Sequence, residues 1–299
     1  MPHAGAAGGR RLHGTGPILQ RGNPIEGPMS TEIRTALTIA GSDSSGGAGI
    51  QADLKTFMAF GVYGMSVVTA LTAQNTRGVQ AICDVPADFV RAQIRSVLGD
   101  VGAQAVKTGM LSNAQIVAAV AEGLEEAGSR APLVVDPVMA AKSGDRLLRP
   151  EAVAAVVELL LPRAEIVTPN VPEACLLSRM EIRSEKDMER AAEAILALGP
   201  KAVLLKAGHR GRESCDDLFA DREGAREWLR GERLDQRHTH GTGCVLSAGI
   251  AACLAGGMDR LESCRRAKAF VAGAIRHALP LGAGIGPVNH MWALGRGFS

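Results

Sequence analysis

The sequence predicts an α/β fold of three layers: a central, mostly parallel β-sheet with helices on both faces. Three observations predict it. Short apolar runs alternate with amphipathic helical stretches from residue 36 to about residue 279, the pattern of βαβ units. Glycine and polar residues gather where those runs end, as at Gly41-Ser42-Asp43 and Lys107-Thr108-Gly109. Hydrophobic residues make up 46% of the 299 residues against 21% charged, enough to bury a full core.

The elements follow in order. Residues 36–40 form an apolar strand that runs into a glycine-rich turn, and 49–60 carry Ile50, Leu54, Phe57 and Met58 at helical spacing. Residues 67–71 are strand-like, and 86–101 place Phe89, Val90, Ile94, Val97 and Leu98 on one helical face. A strand at 105–107 precedes a helix over 113–127, and strand 133–135 ends in Asp136-Pro137. A helix over 151–160 leads to strand 166–168, and one over 185–198 leads to strand 203–205. The polar stretch 213–235 breaks the rhythm and reads as a β-excursion, with strands near 217–220 and 227–230. Helices near 243–255 and 261–279 follow. Residues 1–31, rich in Gly, Pro and Arg without periodicity, read as a disordered extension with Met29 an alternative start, and 32–299 read as a single domain.

Composition excludes several classes of function. Aromatics are 3%, too few for a base-stacking nucleic-acid surface. Lys plus Arg total 33 against 31 Asp plus Glu, so no broad field attracts a polyanion or a membrane. The six cysteines are dispersed without C-x-x-C spacing, which argues against a zinc site or a disulfide framework and for a reducing compartment. No apolar run approaches the length of a membrane span, and no apolar region follows Arg10-Arg11. A cytoplasmic, soluble protein is expected.

Neither G-x-x-x-x-G-K-[ST] nor a G-x-G-x-x-G after the first strand is present, and Gly282-x-Gly284-x-Gly286 has no following helix. The anion-binding candidate is Gly241-Thr242-Gly243-Cys244, directly before the apolar run from Val245. Glycines opening a helix leave backbone N–H groups free, and the helix dipole adds partial positive charge. A tight turn into a core helix would explain the glycines as well. Cys244 sits in the first helical turn, where a thiol pKa is expected to fall from about 8.5 toward neutrality, making it a candidate general base. Lys206, at a strand's carboxyl end, can reach phosphates or lie along the surface. Asn170 and Glu173 could hold magnesium waters or form a helix-capping box. The loop 41–53 could close over a polar ring, with Gln74 and Asn75 offering donor and acceptor atoms.

These segments resemble, in order, the signatures of bacterial hydroxymethylpyrimidine/phosphomethylpyrimidine kinases. The match includes Ala40-Gly41-Ser42-Asp43-Ser44-Ser45-Gly46-Gly47-Ala48-Gly49, Thr72-Ala73-Gln74-Asn75-Thr76, Lys107-Thr108-Gly109-Met110-Leu111, Asp136-Pro137-Val138-Met139, Ser143-Gly144-Asp145, Thr168-Pro169-Asn170-Val171-Pro172-Glu173 and His240-Gly241-Thr242-Gly243-Cys244. The resemblance implies a ribokinase-like fold, ATP and Mg²⁺, a small pyrimidine substrate and a homodimer. It implies that Gln74, Ala48, Asp53, Met110 and Val138 surround the substrate. By the same resemblance Lys206, Asn170, Thr242 and Gly243 contact ATP, Glu173 and Asp136 serve the metal, and Cys244 with Gly241–Gly243 carries the catalysis. Lys206-Ala207-Gly208 has Ala where the family commonly has Gly. Related readings are a pyridoxal kinase of the same fold, a ribokinase-fold nucleotide-repair lyase and a non-catalytic pyrimidine-binding regulator. The front loop and Gln74 disfavour the lyase, and Lys206, Glu173 and Cys244 together disfavour the regulator.

Overall fold

The computed structural model describes residues 33–139, 150–207 and 215–294. The N-terminal extension, the Ser143-Gly144-Asp145 motif and Gly208-His209 lie outside the described residues. The chain begins β1 (Thr35–Ala40), α1 (Gly49–Ala59), β2 (Tyr63–Val68), β3 (Ala70–Asn75), β4 (Gly78–Asp84) and α2 (Ala87–Asp100). Next come β5 (Ala105–Thr108), α3 (Ala114–Glu126), β6 (Leu133–Val135) and α4 (Pro150–Ala155), which continues through a π-turn at Val156–Leu160. Then follow β7 (Ala164–Val167), α5 (Val171–Ser178), α6 (Glu185–Leu196), β8 (Ala202–Leu205), β9 (Asp217–Asp221), β10 (Arg226–Leu229), α7 (Thr242–Ala255) and α8 (Arg260–Arg276).

The main sheet runs β10-β9-β8-β7-β6-β5-β1-β2. Strands β2, β1, β5, β6, β7 and β8 are parallel; β9 adds antiparallel to β8, and β10 adds antiparallel to β9. The stretch expected as an excursion therefore extends the main sheet. The two faces separate along β1. Leu37 and Ile39 enter the core with α2, α3 and α6, whereas Ala36 belongs to the core with α1, α7 and α8. Helix α7 is apolar on every side because it lies between the sheet, α1 and α8, as a fully enclosed helix must.

Two expectations need correction. The strand expected over 67–71 is two strands, parted at Thr69, whose N–H donates to the Ala40 carbonyl and whose hydroxyl donates to the Met110 carbonyl. The second of them, β3, pairs with β4 as a separate hairpin that stands off the main sheet. Its residues Leu71 and Ile82 are exposed and β4 has no buried residue, so the apolar pattern that marks a core strand is missing. Phe89 is 59% exposed, and the buried face of α2 is formed by Val90 and Ile94.

Candidate active site

The order of strands reverses at β1, whose neighbours are β2 on one side and β5 on the other. Crevices for ligands form at such points outside the carboxyl ends of the strands. Here a cavity of about 1680 Å³ opens there. The strand ends deliver Gly41, Lys107, Asp136, Asn170 and Lys206 to it, and the start of α7 delivers Gly241, Thr242, Gly243 and Cys244. Ala48, Gln74, Met110, Val138 and Glu173 also line it.

The residues are held by specific local chemistry. Gly241 takes φ 84°, left-handed, at the N-cap of α7, and a Cβ there would overlap the Gly47 carbonyl oxygen. Only glycine lets the front loop lie this close to the helix start. His240 Nε2 lies 2.8 Å from Asp43 Oδ2, and Asp43 also accepts from the backbone of Ser45, Gly47 and Ala48. Burial alone would raise the Asp43 pKa, but hydrogen bonds from His240 and Ser45 hold it at about 2. A single buried carboxylate thus fastens the front loop to the residue preceding the glycine turn. The hairpin joins the same lock. Ser44 Oγ donates to the Gln74 carbonyl, and Gln74 Nε2 lies 3.4 Å from His240 Nε2. Asn75 instead shapes the hairpin turn, its Oδ1 accepting from Arg77 N–H.

At the other end of the cavity Lys206 Nζ lies 3.2 Å from Asp136 Oδ1. Lys206 is largely buried, so it is not a surface lysine, and Asp136 and Glu173 keep it protonated against the cost of burial. Asp136 accepts from Thr168 and from Ser247 of α7 as well. Burial opposes its charge, yet Lys206 and Lys107 hold its pKa below the usual carboxylate range. Asn170 and Glu173 form a complete capping box on α5. Burial pushes the Glu173 carboxyl up to about 7, with Lys206 opposing and Asp136 adding to the shift. Among the described residues no group of three or more His, Cys, Asp or Glu is placed to enclose a metal.

Two site expectations change. Asp53 does not reach the cavity: it is fully buried behind it, bonded to Lys107 and Thr38. The Cys244 thiol is not lowered toward neutrality. The sulfur faces the cavity, but the protein around it pushes the pKa up to about 11, a shift that Lys107 only partly offsets. Sequence reasoning also passed over the Asp43–His240 contact, and it placed Lys107 only among the polar strand ends, without its burial and pairing to Asp53. A lysine inside the apolar strand Ala105-Val106-Lys107-Thr108 was the available signal for the latter. The far wall, with Trp228, Lys268 and Ile275, belongs to segments that carried no recognisable motif.

A doubly wound sheet whose strand-end cleft faces Lys107, Lys206, Asp136, Glu173 and a glycine turn opening a buried helix is that of a ribokinase-like small-molecule kinase. The family model described as phosphomethylpyrimidine kinase matches residues 43–289. The chain is 54% identical to the hydroxymethylpyrimidine/phosphomethylpyrimidine kinase of Streptomyces coelicolor, over 87% of this chain and 95% of that one. Its fold is similar to an ADP complex of Bacillus subtilis pyridoxal kinase, with TM-score 0.82 and 39% identity over 89% of this chain and all of that one. A phosphomethylpyrimidine kinase from Clostridium difficile gives TM-score 0.72 and 44% identity over 82% of this chain and 100% of that one. The chain belongs to the phosphomethylpyrimidine kinase family.

Proposed function

We propose that this chain uses ATP to phosphorylate 4-amino-5-hydroxymethyl-2-methylpyrimidine to its monophosphate, and then to the diphosphate, in thiamine biosynthesis. The observation that carries the reading is the shared cavity, in which the Gly241–Cys244 turn faces Lys206 and Asp136 while Gln74 closes the other side. Gln74, with one amide oxygen already accepting from Thr72 Oγ1, is oriented to recognise the pyrimidine edge, and Ala48, Met110 and Val138 flank the ring. Lys206 and Asn170 bind ATP phosphates with the N–H groups of Thr242 and Gly243.

In the first transfer the substrate hydroxyl oxygen attacks the γ-phosphorus of ATP. An O–P bond forms, the bond to the ADP oxygen breaks, and the hydroxyl proton passes to the Cys244 sulfur, which reacts from its minor thiolate fraction. The first-turn N–H groups of α7, of which Thr242 makes only a long 3.4 Å bond to the Thr239 carbonyl, stabilise the charge on the transferring group. In the second transfer the nucleophile is a phosphate oxygen already anionic near neutral pH, so no base is needed. Magnesium fits the donor set: Glu173 and Asp136 face the same cavity beside Lys206, and Mg²⁺ uses few protein ligands and keeps several waters. Bound there, the ion would neutralise charge on the β- and γ-phosphates. We further read residues 32–299 as one kinase domain, acting as a homodimer in the cytoplasm. No described helix is long and apolar enough to cross a membrane.

The test is product analysis with ATP and the pyrimidine alcohol. Two ADP per alcohol and a diphosphate product are expected. No turnover with that alcohol alongside brisk turnover of pyridoxal would overturn the reading in favour of a pyridoxal kinase.

A further inference from the structure

The run Gly282-x-Gly284-x-Gly286 opens no helix, yet each of its glycines is pressed against a neighbour. A Cβ on Gly284 would overlap the Thr76 carbonyl oxygen, and one on Gly282 would overlap the Thr76 hydroxyl. Hydrogen bonds follow the same contacts. Gly284 N–H donates to Thr76 Oγ1 at 3.1 Å, and Ile285 N–H donates to the Thr76 carbonyl at 2.8 Å. Thr76 lies in the turn of the β3–β4 hairpin, two residues beyond Gln74.

The same strap then grips the residues that lead into the phosphate turn. Gly286 N–H donates to His238 Nδ1 at 2.9 Å, and the Gly286 carbonyl accepts from His240 N–H. Val288 N–H donates to the His240 carbonyl, one residue before Gly241. The strap is itself anchored, since Leu279 N–H donates to the Pro287 carbonyl and Asn289 N–H to the Ala274 carbonyl of α8. Ile285 and Val288 are three residues apart, so the two grips lie at most about 11 Å from each other along the chain. The hairpin needs such a hold. It stands off the main sheet, and the front loop meets it through Thr72, whose hydroxyl donates to the Ser42 carbonyl, and through Ser44 at Gln74. Those contacts alone would let the turn beyond Gln74 pivot. The pairing of β3 with β4 also skips Gln80 opposite the step from Ala73 to Gln74, a bulge of the kind that re-aims a side chain.

We propose that the strap 282–286 fixes the distance between the hairpin and the phosphate turn, and that Thr76, gripped by it, is a positioning residue acting through Gln74. This rests on the ring-recognition role proposed above for Gln74. With the hairpin held at both points, the Gln74 amide sets where the ring lies, and the ring carries its hydroxyl to the transferring phosphate. ATP, bound from the strand ends and α7, does not depend on the hairpin.

The test compares Gly284→Ala, Thr76→Val and Thr76→Ser in the full-length chain. Calorimetry reads binding of the pyrimidine alcohol and of ATP separately, and amide hydrogen exchange reads residues 73–79 without ligand. In Gly284→Ala the new Cβ meets a backbone oxygen, so the hairpin turn must part from the strap. Exchange there should speed by about tenfold or more. Affinity for the alcohol should fall by about tenfold or more, and that for ATP by less than about threefold. Thr76→Val keeps the shape without the hydroxyl and should cost the alcohol about fivefold, which Thr76→Ser should restore to within about twofold. A role in stability alone would weaken both ligands together or neither. Unchanged alcohol binding in Gly284→Ala and Thr76→Val, an equal loss for ATP, or no rescue by Thr76→Ser overturns the proposal. Unaltered exchange at the hairpin turn in Gly284→Ala overturns it whichever ring is bound. If wild type binds pyridoxal and not the pyrimidine alcohol, the substrate reading fails, and the same comparison made with pyridoxal decides the role of the strap.

Discussion

Replacing Gly241 with alanine should damage both the fold and the reaction, for reasons that can be separated. Its φ of 84° is left-handed, which costs a residue with a side chain about 1 kcal/mol. The new Cβ would also overlap the Gly47 carbonyl oxygen, a backbone atom that no rotamer change can move. Relief requires the front loop to part from the start of α7, and the Asp43–His240 contact would be lost with it. Together these reach about 2–4 kcal/mol, or roughly 3–7 °C in Tm for a chain of this size. Misplaced N–H groups at the phosphoryl site should lower kcat about 100-fold or more. Gly61→Ala is the control. Gly61 has φ 71° with nothing within 4 Å of its Cβ, so it carries the left-handed cost of about 1 kcal/mol alone and should keep full activity. Thermal unfolding and coupled ADP release read the two effects. If Gly241→Ala matches Gly61→Ala in both, the close approach of the loop to the helix start is not needed.

Two further changes report on charge. Glu173, its pKa raised to about 7 in the folded chain, binds its proton more tightly than when unfolded, so wild-type stability should fall as pH rises from about 4.5 to 7. Glu173→Gln should flatten that slope in thermal unfolding while weakening magnesium-dependent turnover; an unchanged slope would remove burial as the cause. Asp43, held at about 2, contributes stability that is present above its ordinary pKa near 4 and lost as pH falls toward 2. Asp43→Asn should therefore cost about 1–2 kcal/mol at pH 7 and little near pH 2; an equal cost at both would contradict the charge-linked contact.

Most of the fold was legible because burial leaves a periodic record. Strand β6 and helix α7 were recognisable from apolar runs that the sheet core demands. The hairpin β3–β4 was not, because its faces are largely solvated and its work is to present Gln74. The cleft was legible where glycine or a strand-end polar residue marked it, as at Gly241 and Lys206. Sequence spacing could not show that Asp53 points into the core toward Lys107, since both sides of a helix's first turn look alike until a neighbouring strand is placed. Nor could it weigh helix-terminus charge against burial at Cys244, where burial wins and the resting thiol is pushed up to about 11. That value already includes the opposing charge of Lys107, so the resting residue is a thiol at neutral pH.

Rapid-quench single turnovers compare the two transfers most directly, using the pyrimidine alcohol and its monophosphate as separate substrates with wild type and Cys244→Ser. We expect wild type to phosphorylate both. The serine variant should lose about 100-fold or more on the alcohol, which needs a proton removed, and less than about tenfold on the monophosphate, which does not. Equal slowing of both transfers would contradict the base role and leave Cys244 as one more N–H donor of the anion site.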